Sequence, residues 1–185
     1  MSQMPLYSRR IFKGHGLAQT LINRLPILNL VWDQRQKSRF DAITQSGEHV
    51  GVLLPRGQLL RGGDVLVSTN GELLRIEAAA QQVMRITPCP EHGRSFDLIR
   101  AAYHLGNRHV PIELTPTYLQ IEPDAVLADM LRAMHMVVTE CEAAFEPEAG
   151  AYGNAAHGHS HAHDHDHHHH HGHDHDLSIK GGHQT

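Results

Sequence analysis

Residues 157–175 read HGHSHAHDHDHHHHHGHDH, and twelve of these nineteen residues are histidine. They are His157, His159, His161, His163, His165, His167, His168, His169, His170, His171, His173 and His175, with three aspartates among them. Near pH 7 such a segment is a dense array of neutral imidazoles, and imidazole suits nickel, zinc, copper and iron. It holds no aliphatic residue larger than alanine. Burial cannot offset the ordering entropy, so disorder is expected over residues 151–185. A segment that cannot fold but can ligate many ions points to metal handling. A purification tag is the bland alternative, but the longest block here is five histidines, broken elsewhere by Asp, Gly, Ser and Ala.

Six histidines lie outside the tail: His15, His49, His92, His104, His109 and His135. His92 follows Cys89 as C-x-x-H, half of a metal site, although a solvated role weighs more for a pair this small. His104 and His109 stand in AAYHLGNRHVPIEL. His104 falls in the last turn of an expected helix, where imidazole also complements the helix dipole. His109 lies just past the Gly106-Asn107 reversal. One histidine holds a transition metal poorly, because first-row sites want several ligands. A two-fold dimer would set two copies of the same residue across its axis. On spacing alone, a metal ligand and an ordinary surface or core histidine fit His109 equally well.

These residues need elements to hold them, and 185 residues suit one or two small domains. Residues 1–150 carry 15 basic and 16 acidic residues, which gives no charge argument for nucleic acid or an anionic membrane. Arg9, Arg10 and Lys13 are not followed by an apolar run, so neither a secretory leader nor a membrane span is expected. Two cysteines make no disulfide framework, and a cytoplasmic setting is expected.

The first half reads as short strands. Residues 28–32 are an apolar run ending in a charged turn at 33–37. Residues 38–44 alternate, and 49–54 resume after the turn QSGE. Asn70-Gly71 between 65–69 and 72–76 is a strong hairpin signal. An all-β domain is expected over residues 1–76. The Gly62-Gly63-Asp64 turn lacks the lysine and helix of a phosphate loop. In the second half, 81–87 is an expected strand, and Ser95 is placed to cap a helix with Asp97 in its first turn. Phe96, Ile99, Ala102 and Tyr103 fall at helical spacing. Strands are expected at 109–114 and 118–122. Pro123 opens a helix at 124–134, with Val126, Leu127, Met130, Leu131 and Met134 as its apolar stripe. A last strand follows at 135–141. This βαββαβ order matches a ferredoxin-like domain over residues 77–150. The expected class is α+β.

The chain resembles the UreE family of urease accessory nickel metallochaperones. The resemblance is carried by KSRFDAITQSGEHVGVLLPRGQLLRGGDVL (37–66), YHLGNRHVPIEL (103–114), DAVLADML (124–131) and FEPEAGAY (145–152), followed by a histidine-rich terminus. It implies an N-terminal β domain for partner docking and a ferredoxin-like domain that binds metal and dimerises. His109 occupies the position of the family's interface ligand in its GNRH motif, and His104 matches a second histidine there. Some members carry an H-x-H on the next strand. Residues 118–121 here read YLQI, so those auxiliary sites are not expected. The implied role is not enzymatic. A homodimer would bind Ni²⁺ and pass it to apo-urease in a maturation complex containing the accessory GTPase.

The composition leaves one competing account, storage or detoxification of nickel or zinc by the tail alone. A metal-dependent hydrolase would need a motif such as H-E-x-x-H, and none is present. A regulator would need a basic DNA-reading face. The tail itself cannot select nickel, since Cu²⁺ binds such donors more tightly and Zn²⁺ also binds in vitro.

Overall fold

The first sheet is built from β1 (Leu6–Ile11), β2 (Ile27–Leu30), β3 (Arg39–Ile43), β4 (His49–Leu53), β5 (Val65–Ser68) and β6 (Leu73–Ala78). The computed structural model describes residues 4–149. Strand order is β2-β6-β5-β1-β4-β3, parallel at β1/β4 and β2/β6 and antiparallel elsewhere. Alternation sets the inner face: Leu28 and Leu30, Val50 and Val52, and Leu74 and Ile76 are all buried. Each such side chain contributes roughly 1.5–3 kcal/mol on leaving water. β5 is buried at every position, which accounts for its apolar Val65-Leu66-Val67 run, and it pairs with β1 on one side and β6 on the other. The Asn70-Gly71 hairpin forms as expected, with Gly71 at φ +86 in the region that hairpin turns require.

Two features depart from an all-β reading of this half. β1 is central in the sheet, yet its sequence LYSRRI has only Tyr7 fully buried. Its place comes from pairing on both edges, not from a hydrophobic pattern. The expected charged turn is a helical turn instead, α2 (Trp32–Arg35), after a first short helix α1 (Gln19–Ile22). Trp32 and Arg35 lie three residues apart on one helical face, and both are buried.

The second sheet is β7 (Ala80–Pro88), β8 (Glu113–Leu114), β9 (Leu119–Ile121) and β10 (Met136–Ala144), with α3 (Ser95–Gly106) and α4 (Ala125–Ala133) between them. Its order is β10-β7-β9-β8, antiparallel throughout. β10 pairs with β7 along its whole length, from Met136↔Pro88 to Ala144↔Ala80. Leu98, Ala101 and Leu105 of α3 and Leu127, Ala128 and Leu131 of α4 meet Met84, Ile86, Leu119 and Ile121 in one core. Among the described residues, no helix is long and apolar enough to cross a membrane.

Several local expectations are corrected. Ser95 is not the cap of α3. Arg94 is, and its backbone N–H donates to Asp97 Oδ2 at 2.8 Å. Pro123 precedes the N-cap of α4, which is Asp124, whose carboxylate accepts from Leu127 N. The strand expected at 109–114 shrinks to Glu113–Leu114, because His109 adopts a left-handed conformation at φ +56. The spacing of Phe96, Ile99 and Tyr103 is helical, but that face is not the buried one. They are 62%, 63% and 66% exposed.

Candidate functional site

His109 sits where α3 stops. Val110 N donates to Leu105 O at 3.3 Å and His109 N to Gly106 O at 2.9 Å. These two bonds make a Schellman motif with His109 at the left-handed position, usually taken by glycine. Val110 then packs against the core, which completes the hydrophobic contact that accompanies this motif. Histidine tolerates this conformation better than branched residues, but at a cost. The imidazole is thereby placed on a tight turn, on an exposed residue. His104 lies in the last turn of α3, half-buried, its ring edge-on to Tyr103 at 5.4 Å. Its carbonyl accepts from Arg108 Nη1 at 3.1 Å, which ties the turn before His109.

Among the described residues, no three histidine, cysteine or carboxylate side chains converge as a metal site within one chain. His15 and His49 are exposed in the first half, and His135 is exposed at the end of α4 with φ +61. The Cys89–His92 pair does form, with Sγ 3.9 Å from Nδ1. Gly93 makes that loop possible, since a Cβ there would lie 2.4 Å from the Cys89 carbonyl oxygen. It remains a two-donor half-site. The twelve tail histidines, His157 to His175, lie outside the described residues.

Sequence reasoning missed a charged cluster at the seam between the two sheets. Trp32, Val83 and Phe145 pack there. Arg35 is fully buried, donates to the Leu30 and Phe145 carbonyls, and pairs with Glu146 at 2.7 Å. Burial pulls its guanidinium below its ordinary value, with Glu146 opposing, but arginine stays charged under all working conditions. Arg61 lies over the Trp32 ring, 5.1 Å from its centroid, and reaches Glu146 as well. On the second sheet, Arg85 donates to Gln120, Gln120 to Glu113, and Glu146 N to Glu113. The only sequence signal was Glu146 inside FEPEAGAY, which marks a motif but does not name its buried partner 111 residues earlier.

Two comparisons bear on identity. The sequence model of the UreE urease accessory protein N-terminal domain matches residues 8–79, and that of the C-terminal domain matches residues 81–176. The urease accessory protein UreE of Paracidovorax citrulli is 64% identical over 145 residues, covering 78% of this chain and 69% of the relative. That of Polaromonas naphthalenivorans is 60% identical over 151 residues, covering 82% and 73%. That of Verminephrobacter eiseniae is 54% identical over 157 residues, covering 82% and 94%. Matches to both domains, at this identity and along most of the chain, together with an exposed GNRH histidine on a helix-ending turn, mean that the chain belongs to the UreE family of urease accessory proteins.

Proposed function

We propose that this protein is a non-enzymatic nickel metallochaperone that delivers Ni²⁺ to apo-urease during assembly of its metallocentre. The observation that carries the reading is His109. It is a single exposed imidazole held on a strained turn, at the end of a helix whose apolar residues Phe96, Ile99 and Tyr103 are uncovered. A surface of that kind wants a partner. A two-fold partner through the second module would cover the helix and pair His109 with its own copy. His104, water or tail imidazoles would complete the coordination. Family membership supports nickel as the cargo and a maturation complex with the accessory GTPase as the recipient.

We assign residues 1–76 as the docking module, 77–150 as the dimerising metal module and 151–185 as a disordered donor tail. The antiparallel order β10-β7-β9-β8 with its two intervening helices supports the ferredoxin-like description of the second module. The reduced cysteines suit a cytoplasmic setting.

Imidazolium cannot ligate, so protons compete with nickel for the ring nitrogen and bound nickel should be released on acidification. Retention of nickel at pH 5 would contradict imidazole ligation. The deciding experiment is Ni²⁺ titration calorimetry on a chain ending at Asn154, with and without His109→Ala. About one ion per dimer, lost in the alanine variant, establishes the His109 site. Loss of all binding on truncation instead makes the tail the whole metal function, as a storage or detoxification protein would have it.

A further inference from the structure

The His109 turn has little sheet behind it. Val110 N is used in closing the end of α3, on Leu105 O, and Pro111 has no N–H to give. β8 is only Glu113–Leu114, paired to β9 as Glu113↔Gln120 and Leu114↔Leu119. A ladder this short holds the segment weakly, and side-chain bonds add to it. Glu113 is half-buried, and its Oε2 accepts from Glu146 N at 2.7 Å and from Gln120 Nε2 at 3.2 Å. Beside it, Ile112 is buried and its carbonyl accepts from Glu148 N at 2.8 Å. One carboxylate oxygen thus ties the segment after His109 both to β9 and to the residues that follow β10.

The donor from β9 is itself held in place. Gln120 is 1% exposed. Its Oε1 accepts from Arg85 Nη2 at 2.9 Å and from Arg85 Nε at 3.2 Å, which fixes the carboxamide with Nε2 toward Glu113. The Arg85 guanidinium in turn lies 4.4 Å from the centre of the Tyr118 ring. A polar chain satisfied at each link is rigid, and its bonds to the carboxylate are of the charge-assisted, stronger kind. Four residues lead from His109 to Glu113 and span at most about 14 Å. Within them Val110 packs on the core and Ile112 belongs to it, so a shift at Glu113 is passed back to the turn. An ion shared by two copies of His109 would feel the displacement of both turns, while metal–ligand distances tolerate only about 0.2 Å.

We infer that Glu113 is a positioning residue for the metal site: its carboxylate, oriented by Gln120 and Arg85, fixes the His109 turn in the orientation at which two copies share one ion. This rests on the reading of His109 as a nickel ligand. A carboxylate that only closed the sheet would change stability and leave the nickel affinity of the folded protein alone.

The test uses the full chain well below its melting temperature and Ni²⁺ alone, titrated at neutral pH against a chromophoric chelator. The event followed is the one that His109→Ala removes. Glu113→Ala should weaken it about tenfold, the low end of what losing an outer partner costs a metal site. Glu113→Gln keeps an oxygen acceptor for both donors and should restore most of the affinity. Hydrogen exchange on the metal-free chain gives a reading that does not involve nickel. In Glu113→Ala the His109 and Val110 amides should exchange several-fold faster while those of β7 stay as they were. Unchanged nickel affinity in Glu113→Ala overturns the proposal, whatever happens to stability. Unchanged exchange at His109 and Val110 overturns it as well, because the turn is then held without the carboxylate. If Glu113→Ala does not fold, Arg85→Met frees the Gln120 carboxamide and should weaken the same event, and unchanged affinity there overturns the proposal. If His109→Ala removes no event from the wild type, the nickel reading fails and the proposal falls with it, while the exchange result still reports whether Glu113 holds the turn.

Discussion

The two sheets close themselves differently. The first ties off its buried Asp64 within its own half. Asp64 is fully buried, yet its carboxylate accepts from Lys13 N and Arg61 N at 2.9 Å each. The second sheet is equally well cored beneath α3 and α4, but it leaves Phe96, Ile99, Tyr103 and Val126 between 62% and 78% exposed. Buried polar groups need partners wherever they are, whereas exposed apolar side chains such as Phe96, Ile99 and Tyr103, at helical spacing on α3, are unfinished surface. On the proposed reading, the uncovered face of α3 is where a second copy would seat, and the candidate ligand His109 lies at the end of that helix.

The comparison is open to attack at four points, the largest first. Glu146→Ala leaves Arg35 charged, buried and unpaired, and should destabilise the fold by about 3–5 kcal/mol. Denaturant unfolding measures this, and a loss under about 1 kcal/mol would mean that water already serves Arg35. Ile99→Asp should raise the dimer dissociation constant at least about 100-fold, roughly 2.7 kcal/mol, by sedimentation. Leu53→Asp, on an apolar residue of the first sheet that is 44% exposed, should leave association unchanged. Reversal of that pair would move the interface to the first sheet.

A finer contrast lies between the two left-handed histidines. His109→Gly relieves backbone strain of about 1 kcal/mol and should raise the metal-free melting temperature by roughly 2–4 °C, while abolishing the tight nickel event. His135→Gly, at φ +61, should give the same gain in stability and keep the nickel. A ligand role for His109 alone predicts that split, and equal nickel loss in both would refute it. The smallest effect concerns Tyr7. Burial pushes its phenol above the ordinary 10.0, with Glu72 and Glu48 adding to the shift. The neutral form is favoured in the fold, so its contribution is complete below pH 10 and is lost as pH rises through the folded value. Tyr7→Phe should therefore flatten the alkaline limb of a stability–pH curve. An unchanged limb would assign alkaline unfolding to other groups.

Much of the element order was legible. The Asn70-Gly71 hairpin, the strand at 80–88, and both long helices follow from turn chemistry and periodicity, which are local properties. α3 shows where that reading stops. Two stripes at helical spacing run along it, Leu98-Ala101-Leu105 and Phe96-Ile99-Tyr103, and period alone cannot say which one meets the sheet. β1 shows the same limit for strands, since its two neighbours and not its own pattern make it central.

By itself the sequence determined the candidate donors and their order: the GNRH histidine after a helix, the imidazole-rich tail, and the two sheet-forming halves. These depend on residue type and on spacings of a few residues, where backbone sterics and side-chain period act directly. The tertiary structure alone decided that His109 takes a glycine's place in the turn. It also decided which helix face stays uncovered, and that Arg35 and Glu146, 111 residues apart, close on one another. Such pairings depend on chain closure over long separations, and no local propensity encodes them.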